Sequence, residues 1–140
     1  MNPFDCRKNT VAHFSSFRFS NGNISPKYFV LIDDLDEEND SIFVVTFTSN
    51  LKYKKKKWMV FVSEKSLKDE IKGVEFPYTD SLVDCNTCLE VSGSVIRKGG
   101  CSFIIRMGDE WINKIYDALK YAYRVDSAIL VKLKLRLGLE

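Results

Sequence analysis

Two short apolar runs, Ile42 to Phe47 and Trp58 to Val62, enclose Lys52-Tyr53-Lys54-Lys55-Lys56-Lys57, and no other stretch limits the fold as tightly. Both runs are β-branched and aromatic, too short for buried helices, and bounded by polar turn formers such as Thr48-Ser49-Asn50. That is the pattern of strands covered on both faces or wrapped into a small barrel. The loop between them is the first place to look for function. Its five lysines in six positions cannot be buried together and repel one another unless an anion is near. They form either a solvated tip that keeps an edge from aggregating or a contact for phosphates.

A chain of 140 residues is one domain by size, here taken as 1–140, and can bury a core without staples. Ten Phe, six Tyr and two Trp against three Pro and seven Gly argue for a β-rich core with some helix and against disorder. The net charge of +2 does not diagnose nucleic-acid binding, but it is unevenly spread, because Asp33 to Asp40 holds six acidic residues. No segment has the apolar length to cross a bilayer, and Met1 to Lys8 lacks the apolar core of a signal peptide, so a cytoplasmic location is expected. Cys6, Cys85, Cys88 and Cys101 are then expected as free thiols. Cys85-Asn86-Thr87-Cys88 has the spacing of a zinc or redox pair, yet further ligands would have to come from Cys6, Cys101 or His13, all isolated. Buried or semi-buried cysteine is the expected state. With no Gly-rich phosphate loop, nucleophile elbow or paired carboxylates either, no metal and no cofactor is expected.

In chain order, Val11 to Phe19 reads as a strand, Ser20-Asn21-Gly22-Asn23 as a turn, and Ser25-Pro26 as the end of that connection. Lys27 to Ile32 is a second strand, and Asp33 to Asp40 an exposed hairpin loop into the strand at Ile42. Ser63 to Ile71, with an N-cap serine and a stop at Gly73, predicts a short helix. Phe76 to Asp80 reads as a loop, Thr87 to Val91 as a strand, Gly93 as a turn, Ser94 to Arg97 as a short strand, and Lys98-Gly99-Gly100 as a tight turn before a strand at Cys101 to Arg106. Then the period changes. Trp111, Ile112, Ile115, Leu119 and Ala122 recur at helical spacing behind Asp109 and Glu110, predicting an amphipathic helix from Asp109 to about Val125. Val131 to Leu137 alternates as an edge strand would, although leucine and lysine also suit a helix extension. Leu139-Glu140 reads as a residue of cloning. The fold expected is mainly β: a small bent antiparallel barrel closed around Phe29, Leu31, Val44, Phe47, Val60 and Val62, with the C-terminal amphipathic helix packed on it.

This order of elements resembles the MazF/PemK family of toxin endoribonucleases over roughly Val11 to Ile129. Three pieces carry the resemblance. The family's second strand opens with arginine and proline before aliphatics, the place of Lys27-Tyr28-Phe29-Val30-Leu31-Ile32; its third strand ends in a threonine, matched by Thr48; and its terminal helix begins Asp-Glu and two apolars before Ala-Leu, matched by Asp109-Glu110-Trp111-Ile112 and Ala118-Leu119. The resemblance implies a Src homology 3-like barrel and metal-independent cleavage of single-stranded RNA, in a toxin paired with an antitoxin.

Members of that family use an arginine at the start of the second strand and a Ser or Thr after the loop, where this chain has Lys27 and Trp58. Lysine neutralises a phosphorane as a point charge but lacks the arginine fork. Trp58 can stack or pack, and packing is the commoner fate. The proton carrier would then be His13, Thr48 or Ser49, with Arg18 a further candidate. His13 is favoured by its pKa range, although a lone strand histidine is more often a bystander. The candidate catalytic residues are Lys27, Thr48 and His13. Lys52, Lys54, Lys55, Lys56 and Lys57, with Tyr53 and Trp58, are the candidate RNA contacts, and Lys27 is expected at the mouth of the groove that this loop overhangs.

Three functions fit: a toxin-type ribonuclease with an antitoxin segment across the basic groove, a non-catalytic RNA-binding barrel, and an interaction domain whose apolar second half forms a homodimer. The order of elements favours the first.

Overall fold

The computed structural model describes residues 6–18, 22, 24–48, 50–63, 80–97 and 101–137. These form β1 (Thr10–Arg18), β2 (Ile24–Leu31), β3 (Ser41–Thr48), a 3-10 turn (Leu51–Tyr53), β4 (Met59–Ser63), β5 (Asp80–Ser92), α1 (Gly93–Arg97), β6 (Cys101–Arg106), α2 (Asp109–Leu119) and α3 (Ser127–Leu137). The turn at Ser20 to Asn23 apart from Gly22, residues 64–71 of the expected helix, residues 76–79 of the loop, the turn at Lys98 to Gly100, and Leu139-Glu140 lie outside the described residues.

The chain is mainly β with helical additions, as expected. Its strands pair antiparallel in the order β4-β5-β3-β2-β1-β6. Among the described residues this sheet is open, with β4 and β6 at its edges, and does not close as a barrel. Because side chains alternate across a strand, the continuous apolar runs bury both faces. On one face Val30, Phe43, Val45, Phe47, Val60 and Val62 pack with Trp111, Ile112, Ile115 and Leu119 of α2 and Leu133 of α3. On the other, Phe14, Phe29, Leu31, Ile42 and Val44 pack with Cys6 and with Ile96 of α1. The residues expected to surround one barrel core therefore divide between two.

Local chemistry explains where the elements depart from expectation. Pro26 lies inside β2, not at the end of a connection, and sits opposite a β1 bulge between Phe14 and Phe17, where its missing N–H breaks no rung. The strand at Thr87 to Val91 is the second half of the much longer β5. Its register against β3 jumps from Val45↔Cys88 to Thr46↔Asp84, because Asp84 accepts from Asn86 N and Thr87 Oγ1, and Cys85 N donates to Trp58 O. Ser94 to Arg97 is helical, not extended. Asp40 draws the chain into that turn by accepting from Gly93 N at its carbonyl and from Ser94 N and Ser92 Oγ at Oδ2.

α2 begins as read, with Asp109 and Glu110 at its positive end and Trp111, Ile112, Ile115, Ala118 and Leu119 buried. It stops at Leu119 rather than near Val125. Tyr121 N and Ala122 N turn back to Ala118 O and Leu119 O, and Asn86 Oδ1 then accepts from both Tyr123 N and Arg124 N. Val131 to Leu137 belongs to the separate helix α3, whose first turn is held by Asp126 Oδ1 accepting from Ala128 N at 2.8 Å.

The acidic hairpin is also more structured than an exposed loop. Asp33 is buried, with Oδ1 accepting from Phe43 N at 2.9 Å and Oδ2 2.7 Å from Nη2 of Arg136 on α3. Arg136 also donates to Ser41 Oγ, Ser41 O and Asp34 O, and lies 4.9 Å over the Phe43 ring. One guanidinium fork thus ties the last turn of α3 to the β2–β3 hairpin.

Candidate nucleic-acid interface

The lysine loop is a compact set of turns, not a floppy tip. Thr48 Oγ1 accepts from Asn50 N, Asn50 Oδ1 from Lys52 N, and the carbonyls of Leu51, Tyr53 and Lys56 from the amides of Lys54, Lys56 and Met59. These bonds use the backbone inward and leave residues 51–57 exposed. Most of the ammonium groups lie beside rings: Lys52 Nζ is 5.6 Å from the Tyr53 ring, Lys54 Nζ 4.0 Å from Phe61, Lys56 Nζ 5.8 Å from Trp58, and Lys57 Nζ 5.0 Å from Tyr121. Cations held over aromatic faces cover a surface that can both stack bases and neutralise phosphates.

The end of the loop lies on the helix-bearing face, against the turn that follows α2. Trp58 is half-buried, packs on the core of that face, and meets Tyr123 edge to face at 4.8 Å. Its indole therefore both packs and remains reachable. Beside it a groove of 480 Å³ between β4 and α2 is lined by Lys57, Phe61, Lys114 and Tyr121. Tyr121, Tyr123, Arg124 and Lys114 were not singled out from the sequence. The available signal was two exposed tyrosines next to basic residues just beyond the helix stripe, hidden because the helix was read through to Val125.

The candidate catalytic residues fall elsewhere. Lys27 pairs with Phe14, and Thr48 lies two residues beyond Thr46, which pairs with Phe29. By alternation both belong to the Phe14–Phe29 face, at the end where β2 begins and β3 finishes. Of the candidates these two share one face and one end of the sheet. His13 pairs with Tyr28, its ring 4.4 Å from the tyrosine's, and so occupies the opposite face from Lys27. Lys27 likewise lies across the sheet from Trp58, whereas Phe61, which Lys54 Nζ overlies at 4.0 Å, pairs with Leu82 as Thr48 does and so belongs to the Lys27 face. Arg18 ends β1 opposite Ile24, and Ser49 is outside the described residues.

Cys85 and Cys88 are buried free thiols, with Cys85 Sγ donating to Ile115 O at 3.8 Å. Burial pushes both pKa values up, that of Cys88 to about 12, so neither is a ready nucleophile. Among the described residues no three His, Cys, Asp or Glu side chains gather as metal ligands.

No protein-family model matches the chain, and no curated protein matches it by sequence. Solved structures do. A chain of the MazE-MazF crystal structure (Form-III) from Deinococcus radiodurans is 12% identical with a TM-score of 0.58, covering 98% of this chain and all 100% of that one. An endoribonuclease in complex with its cognate antitoxin from Mycobacterial species is 12% identical with a TM-score of 0.52, covering 96% of each chain. At this identity the shared property is the fold, which is that of MazF-type toxin endoribonucleases.

Proposed function

We propose that the protein is the toxin of a toxin–antitoxin pair and cleaves single-stranded RNA without a metal. The carrying observation is the cation and aromatic surface of residues 51–58, in a chain whose whole length follows the fold of toxin endoribonucleases. The lysines hold the RNA backbone, and Lys27 and Thr48 act on the scissile phosphate. In that reaction the ribose 2′-hydroxyl gives its proton to water as its oxygen attacks phosphorus, the 5′-oxygen leaves and takes a proton from water, and a 2′,3′-cyclic phosphate forms. Lys27 supplies positive charge to the phosphorane. Thr48 donates a hydrogen bond from its hydroxyl to a non-bridging oxygen while its lone pair accepts from Asn50 N. His13 stands across the sheet and takes no part. The partners are a single-stranded RNA, an acidic antitoxin segment and a second copy of the chain, in the cytoplasm. Among the described residues no helix is long and apolar enough to cross a membrane.

The test is cleavage of a mixed-sequence RNA in EDTA. Wild type should cut, Lys27→Ala should be slower by about a hundred- to a thousand-fold, the cost of removing one oxyanion donor, and His13→Ala should match wild type. Cleavage that stops in EDTA, or that ignores Lys27, overturns the proposal. A second reading, an RNA-binding barrel without catalysis, is favoured by Lys27 and Trp58 standing where the family has arginine and a hydroxyl. RNA binding without cleavage by wild type would select it.

A further inference from the structure

Between the lysine loop and the turn after α2 lies a cavity of 150 Å³, lined among others by Tyr53, Trp58, Tyr123, Arg124 and Asp84. Three aromatic side chains in its wall each carry a cation of their own: Lys52 at 5.6 Å on Tyr53, Lys56 at 5.8 Å on Trp58, and the Arg124 guanidinium at 5.5 Å on Tyr123. Rings and cations alternating around one small opening suit a stacked base whose flanking phosphates meet the charges. The wall is built, not incidental. Tyr123 is fixed by its edge-to-face contact with Trp58 and by Asn86 Oδ1, which accepts from Tyr123 N at 2.8 Å and from Arg124 N at 3.2 Å.

The polar lining selects among bases. Asp84 Oδ1 accepts from Asn86 N at 3.0 Å and Oδ2 from Thr87 Oγ1 at 2.9 Å, which orients the carboxylate and leaves each oxygen a further lone pair. A fixed carboxylate with two acceptor oxygens complements two adjacent N–H groups. Guanine offers that pair at N1 and N2. Uracil offers a single N–H between two carbonyl oxygens, which the carboxylate repels.

We propose that this cavity is a subsite for one unpaired guanine of a single-stranded RNA, with Tyr123 as the stacking platform and Asp84 as the base-selecting residue. The subsite rests on the RNA reading above but not on cleavage. The chain has two tryptophans. Trp111 is 4% exposed in the core, so a fluorescence change on binding reports Trp58.

The experiment titrates the full chain with short 2′-O-methyl oligouridines, with and without one central guanosine, which cannot be cleaved by 2′-oxygen attack. The guanosine oligomer should quench Trp58 and bind at least five-fold tighter. Tyr123→Ala should weaken its binding by about five- to a hundred-fold, the loss of one stacked base, while Tyr123→Phe binds like wild type. Asp84→Asn should remove the preference for guanosine, weakening the guanosine oligomer and strengthening the oligouridine as the repulsion of uracil disappears. Tyr123 is 61% exposed, so its truncation leaves the core intact. Equal affinities for the two oligomers, or neutral Tyr123→Ala and Asp84→Asn variants in a protein that binds both, overturn the subsite while the RNA reading stands. Binding of neither oligomer at low salt overturns both, and quenching by an acidic peptide alone assigns the cavity to a protein partner instead.

Discussion

Asp33 shows how one side chain can fix a hairpin and also oppose it. Its carboxylate accepts from Phe43 N and faces Arg136, yet burial outweighs both and raises its pKa to about 6, from about 3.8 for an ordinary aspartate. The folded protein thus holds the Asp33 proton more tightly than the unfolded chain does. Its contribution to stability is fully present below about pH 4 and is lost as pH rises through about 6. Asp33→Asn keeps an oxygen for Phe43 N but cannot ionise. Urea denaturation of wild type and variant between pH 4 and pH 6.5 should therefore show the wild type losing stability across that window relative to the variant. Parallel profiles would mean that Arg136 compensates the charge fully. Nothing in the string Asp33 to Asp40 marks its first residue as buried, because the partner that encloses it comes from position 136.

Elements were legible where their own periodicity decided them. Phe43, Val45 and Phe47 against Ile42 and Val44 required two covered faces, and the stripe Trp111, Ile112, Ile115 and Leu119 required a helix, whatever the rest of the chain did. The misread elements are those that a distant side chain decides. Asp40 turns Gly93 and Ser94 into α1, Asn86 ends α2 by capturing Tyr123 N and Arg124 N, and Arg136 anchors α3. The Leu–Lys alternation of Val131 to Leu137 resembled a strand because both periods pass through Leu133, which is buried, while Leu135 is 79% exposed and shows that period two does not hold. The candidate site divides in the same way: its lysines were visible as a run, whereas the tyrosines and Asp84 join them only through the β5 bulge. The helix stripe itself gives a direct test. Leu119 is buried among Val60, Val62 and Ile115 in one core, so Leu119→Ala should cost about 2 to 4 kcal/mol by denaturant midpoint. A change within about 0.5 kcal/mol would mean that α2 does not seat on the sheet.

At the scale of the molecule, the formal net charge of +2 understates the field that an RNA would meet. The carboxylates of the β2–β3 hairpin surround Arg136 at one end of α3, while Lys52 to Lys57, Lys114, Lys120 and Arg124 gather around β4 and the C-terminal end of α2. Segregated charge of this kind steers a polyanion to one side of a nearly neutral protein. Changing Lys54, Lys55, Lys56 and Lys57 all to Gln takes the net charge from +2 to −2 and removes four exposed cations without touching either core. If those ammonium groups neutralise phosphates, single-stranded RNA binding weakens, and the slope of log affinity against log salt flattens by about 0.7 for each phosphate left without its lysine, because fewer counterions are released. Binding measured from about 50 to about 200 mM salt checks both effects together. A weaker affinity with an unchanged slope would trace the effect to the rings that the lysines cover, and an unchanged slope and affinity would leave the loop with no task beyond keeping the β4 edge in solution.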